Sequence, residues 1–75
     1  MVTLDRLEKR AIGKVVRVDG DDAIAHRLVD LGFWPGTEVE LVRRAPFGDP
    51  IQLSLRGFRL ALRKAEARRV VVEPA

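Results

Sequence analysis

The run Leu28-Val29-Asp30-Leu31-Gly32-Phe33-Trp34-Pro35-Gly36-Thr37 constrains the fold of this chain more than any other segment. It spells a helix that stops at a glycine, one tight turn, and the start of a strand. Gly32 follows the last apolar position, where a left-handed residue closes a helix at least cost. Pro35-Gly36 suits a type II turn, because proline presets φ at the second position and glycine accepts a positive φ at the third. Thr37-Glu38-Val39-Glu40-Leu41 then alternates as a half-buried strand does.

The rest of the chain is punctuated in the same way. Thr3 to Glu8 predicts one helical turn, with Thr3 as N-cap and Leu4 and Leu7 on one side. Gly13 breaks it, and Lys14-Val15-Val16-Arg17-Val18 is rich in β-branched residues, a first strand. Asp21 or Asp22 caps a helix over 22–31, whose inner face carries Ile24, Leu28 and Leu31 while His26 and Asp30 lie outside. A second strand runs from Thr37 to about Arg44. Ala45-Pro46-Phe47-Gly48-Asp49-Pro50 is a compact loop around one aromatic.

Ile51 to Leu55 and Phe58 to Arg63 alternate as two further strands around an Arg56-Gly57 turn, with Phe58, Leu60 and Leu62 expected inward. Lys64 to Ala67 makes one helical turn at most, and Val70-Val71-Val72 ends the chain as a strand. Five short strands and one helix predict a mainly β protein, a small curled antiparallel barrel whose closure removes its exposed edges.

Length and composition bound the function. Seventy-five residues make one domain, and 47% apolar residues suffice for one small core. The absence of cysteine excludes disulfides, thiolate zinc sites and thiol catalysis. No apolar run reaches the roughly 18–20 residues of a membrane span, and no apolar signal core opens the chain. A cytoplasmic protein is expected, with any membrane connection made through a partner. There is no Ser-His-Asp arrangement, glycine-rich phosphate loop or carboxylate pair in an apolar cleft, so a non-enzyme is expected.

Charge is uneven. Residues 1–42 carry net −2, whereas residues 43–69 carry eight bases against Asp49 and Glu66, net +6. Such a half fits solvated outer strand faces, an acidic partner or a nucleic acid. Nucleic acid is disfavoured, because the strands lack the interleaved aromatics that stack bases. His26 could bind a divalent ion with Asp22 and Asp30, one turn to either side, in a site open to solvent. Phe33 and Trp34 are adjacent and cannot both face inward, and Phe47 sits on a loop, where an aromatic is either a contact residue or a lid over the core.

Over nearly its whole length the chain resembles the FeoA family. The resemblance rests on Arg27-Leu28 with Leu31-Gly32-Phe33 and Pro35-Gly36-Thr37, on Ala45-Pro46-Phe47-Gly48-Asp49-Pro50-Ile51, and on Leu60-Ala61-Leu62-Arg63 with Glu66-Ala67. It implies an SH3-like barrel with an inserted helix, and a cytosolic role in bacterial ferrous iron uptake through contact with the transporter FeoB. Met1 stands close to the domain, which predicts a stand-alone FeoA rather than the C-terminal domain of a metal-dependent repressor. The contact candidates are Phe33, Trp34, Arg43, Arg44, Pro46, Phe47 and Asp49. Ferrous iron is the metal that His26, Asp22 and Asp30 would take. Self-association stays open.

Overall fold

A computed structural model describes residues 1–75. The elements are β1 (Val2–Thr3), a 3-10 turn (Leu4–Arg6), β2 (Ile12–Val18), α1 (Ala23–Leu31), β3 (Glu38–Arg44), β4 (Ile51–Leu55), β5 (Phe58–Leu62), α2 (Lys64–Ala67) and β6 (Val70–Pro74). One sheet contains all six strands in the order β1-β6-β2-β3-β4-β5, every pair antiparallel. The strand beyond the expected five is β1, whose two residues are too few to show a period. The sheet is not hydrogen-bonded into a closed ring, as closure would require: β1 and β5 are its edges. An ion pair between Arg27 of α1 and Glu66 of α2 links the two helices.

Two bulges curl the sheet. Register slips between Val15 and Arg17 of β2, and again between Leu41 and Arg43 of β3. Each extra residue bends its strand and adds twist. In β3 the slip also breaks the alternation, so that Leu41 and Val42 are both buried. Strand β2 begins before the expected Lys14 and contains Gly13 rather than stopping at it. A Cβ on Gly13 would lie 3.1 Å from the Val72 side chain, so glycine there lets β2 and β6 approach.

The core gathers Leu4, Leu7, Val15, Leu28, Phe33, Val39, Leu41, Ile51, Leu53, Leu55, Leu62, Ala67, Val70 and Val72. Burial of this apolar surface is the main favourable term in folding. Of the residues expected inside, Ile24 at the start of α1 and Phe58 at the start of β5 are exposed, and Leu31 and Leu60 are only partly buried. Ile24 sits in the first turn of α1, and Phe58 and Leu60 lie on the edge strand β5. Thr3 precedes its turn without capping it, because its hydroxyl donates to Asp5 Oδ1 at 2.6 Å instead.

Candidate functional site

The exit from α1 is where sequence and surface meet. Asp22 opens the helix, its Oδ1 accepting from the Ala25 N–H at 3.1 Å. At the other end Gly32 has φ 113°. Its N–H donates to Val29 C=O at 3.0 Å, and the Phe33 N–H donates to Leu28 C=O at 3.2 Å. Those two bonds form a Schellman closure, which sets an apolar residue just past the glycine against the helix face. Phe33 fills that place and is 1% exposed. As a contact candidate Phe33 is therefore corrected: it is core, and the closure motif itself was the signal for it.

Trp34 faces the other way and is 45% exposed. Its Nε1–H donates to Val29 C=O at 2.8 Å, and the Arg56 guanidinium carbon stands 4.2 Å from the ring centroid. Arg56 (φ 51°) and Gly57 (φ 87°) form the two-residue β4–β5 turn, both left-handed as a type I′ turn requires. The ring thus lies fixed between the helix end and the hairpin tip, with exposed Val29 beside it. The expected Pro35-Gly36 turn is present: the Thr37 N–H donates to Trp34 C=O at 3.0 Å, and Gly36 has φ 88°.

The β3–β4 loop presents the second exposed aromatic. The Gly48 N–H donates to Ala45 C=O at 2.7 Å, and the Ala45 N–H donates to Pro50 C=O at 3.0 Å, across a cis Asp49-Pro50 bond. Pro46 and Phe47 occupy the tip, and Phe47 is 99% exposed, so it does not fold back over the core. Asp49 is engaged from below, its Oδ1 accepting from the Lys64 N–H at 3.0 Å with Arg63 Nε at 3.9 Å. Of the two arginines at the end of β3, Arg43 is exposed and donates to Gln52 Oε1 at 3.1 Å. Arg44 turns inward and donates through Nη2 to the carbonyls of Asp5 and Leu7. Its work is to hold the 3-10 turn against β3.

The three candidate metal ligands are not brought together. Asp22 gives both carboxylate oxygens to Arg69, at 3.0 Å and 2.5 Å. Those hydrogen bonds, with that from Ala25, hold its carboxyl down at about 2 against an ordinary 3.8. The same pair raises the Arg69 pKa. Arg69 also donates to Asp19 C=O at 3.0 Å, tying both ends of the β2–α1 connection to the start of β6. His26 and Asp30 stand exposed on α1, and no group of three His, Cys, Asp or Glu side chains is placed to hold a metal ion. The physical reason is that Asp22 already serves as helix cap and arginine partner.

The FeoA domain family model matches residues 2–74. The chain belongs to the FeoA family. Among solved structures, a FeoA-like protein from Clostridium acetobutylicum superposes with TM-score 0.91 at 37% identity, covering 97% of this chain and 85% of that one. The zinc-complexed FeoA of Stenotrophomonas maltophilia, described as a procaryotic SH3 domain protein, gives 0.86 at 40% identity over 97% of this chain and 91% of that one. The SH3-like architecture expected from the family resemblance is thus the observed one. A curated relative, the Fe(2+) transport protein A/Fe(2+) transporter FeoB fusion protein of Porphyromonas gingivalis, is 30% identical over 59 residues, 79% of this chain. This FeoA chain spans 7% of the length of that relative. The family is associated with ferrous iron transport. No helix of this FeoA is long and apolar enough to cross a membrane.

Proposed function

We propose that this FeoA is a cytoplasmic, non-enzymatic accessory protein of ferrous iron uptake that acts by direct contact with FeoB. The observation that carries the reading is the fusion relative, in which a FeoA-like segment and FeoB share one polypeptide. Covalent linkage raises the local concentration of one part around the other, which is useful only where the two meet.

Trp34, Arg56 and Val29 form the contact face in this proposal. Tryptophan and arginine are the residue types that carry most binding energy in protein interfaces. Here the ring is held before any partner arrives, by Val29 C=O and by Arg56. Little side-chain freedom is left to lose on docking.

The test is a titration of labelled protein against its cognate FeoB in nanodiscs. Saturable binding that weakens on Arg56→Glu is the expected result. Absence of binding to FeoB contradicts the proposal, and binding indifferent to Arg56→Glu relocates the face.

A further inference from the structure

We propose that the end of the molecule bearing Phe47 rests directly on an anionic lipid bilayer, with phosphate headgroups in a basic cleft and the phenyl ring in the acyl boundary. This surface is independent of the contact with FeoB proposed above. It also departs from the sequence expectation that any membrane connection runs through a partner, since resting on a surface needs no span.

The cleft has a volume of about 560 Å³ and is lined by Thr3, Asp5, Arg6, Arg44, Lys64 and Arg68, with no apolar residue. Its one carboxylate is already neutralised. Asp5 Oδ1 accepts from the Thr3 hydroxyl at 2.6 Å, Oδ2 stands 3.5 Å from Arg68 Nε, and the side chain is 7% exposed. Arg44 is fixed on two backbone carbonyls. Arg6 and Lys64 are exposed and their side chains have neither a hydrogen bond nor an ion pair, so they remain free for an anion.

Lys64 joins the cleft to the loop. Its N–H reaches Asp49 Oδ1 at 3.0 Å, and Arg63 stands beside the same carboxylate. The Phe47 turn is closed by its own backbone bonds, so the ring is presented on a stiff tip. A bilayer with anionic headgroups satisfies both features at once: phosphates meet the cations, and the interface takes the ring. A free phosphate would fill the cleft and leave Phe47 in water. A protein interface gathers several apolar side chains into its core, whereas Phe47 stands alone in solvent between Pro46 and Gly48.

Co-sedimentation of the intact protein with vesicles of phosphatidylcholine, alone or with a quarter phosphatidylglycerol, decides the matter. Binding is expected only to the anionic vesicles and is expected to fall steeply between low and high salt. Phe47→Ala and the double change Arg6→Glu with Lys64→Glu are each expected to weaken it about tenfold. A Phe47→Trp variant is expected to add a blue-shifted emission component on anionic vesicles. Absence of sedimentation with anionic vesicles overturns the proposal, as does sedimentation unchanged by both variants. Competition by millimolar inorganic phosphate alone would mark a free-anion site and overturn it too. Variants that lose FeoB while keeping the vesicles would make the loop a protein contact, with the same consequence.

Discussion

The Arg56 guanidinium lies 4.2 Å above the centre of the Trp34 ring and joins the β4–β5 turn to the end of α1. The stack closes a short circuit, because the indole N–H is bonded to Val29 C=O while the Arg56 stem packs over Gly32. Trp34→Phe keeps a ring under the guanidinium but loses the bond to Val29. It is expected to cost about 1 kcal/mol in a urea titration, with far-UV dichroism unchanged.

Gly32 serves the same circuit twice. Its φ of 113° disfavours any side chain, and a Cβ there would stand 3.3 Å from Arg56 Nη1 and 3.4 Å from Arg56 Cδ. Gly32→Ala is expected to destabilise by about 1–2 kcal/mol. The crowding part of that loss should shrink when Arg56 is also Ala, which a double-mutant cycle by chemical denaturation measures.

Phe33 and Phe47 are opposites in this fold. Phe33→Ala empties a core position and is expected to cost about 3–5 kcal/mol, much of the stability of a domain this size. Phe47→Ala removes a side chain wholly in water and is expected to change stability by less than about 0.5 kcal/mol. Thermal unfolding of both variants checks the contrast directly.

The Asp22–Arg69 pair sets a pH dependence. The Asp22 carboxyl is held at about 2 in the folded protein against 3.8 when free. The lower folded value means that the pair's stabilisation is present above about pH 4. It is lost as pH falls from there through about pH 2. Arg69→Gln is expected to return the Asp22 pKa toward 3.8 by NMR titration and to flatten this limb of the stability curve. Both side chains are partly in solvent, so salt should weaken the effect.

Local chemistry made the helix end, the turns and most strands legible in the sequence. Gly32, Pro35-Gly36 and Asp22 each have one conformational use, and the structure employs all three in it. Adjacency of Phe33 and Trp34 says only that one ring faces out; the closure bonds, which the sequence does not show, decide that it is Trp34. The bulge at Val42 is invisible to alternation, since a slip of one residue looks like two apolar residues in a row. Arg44 and Asp49 are contact candidates by sequence, yet they hold internal partners 39 and 15 positions away. The basic cleft escaped for the same reason, being assembled from the first turn, the end of β3 and the region around α2.

The most direct measurement is a chemical-shift map of isotope-labelled protein titrated with its cognate FeoB in nanodiscs. Contact through the α1 exit predicts saturable changes at the Trp34 indole N–H, Val29 and the Arg56-Gly57 turn, with the Phe33 ring undisturbed. Saturable changes that spare these residues, or none at all, would contradict the account.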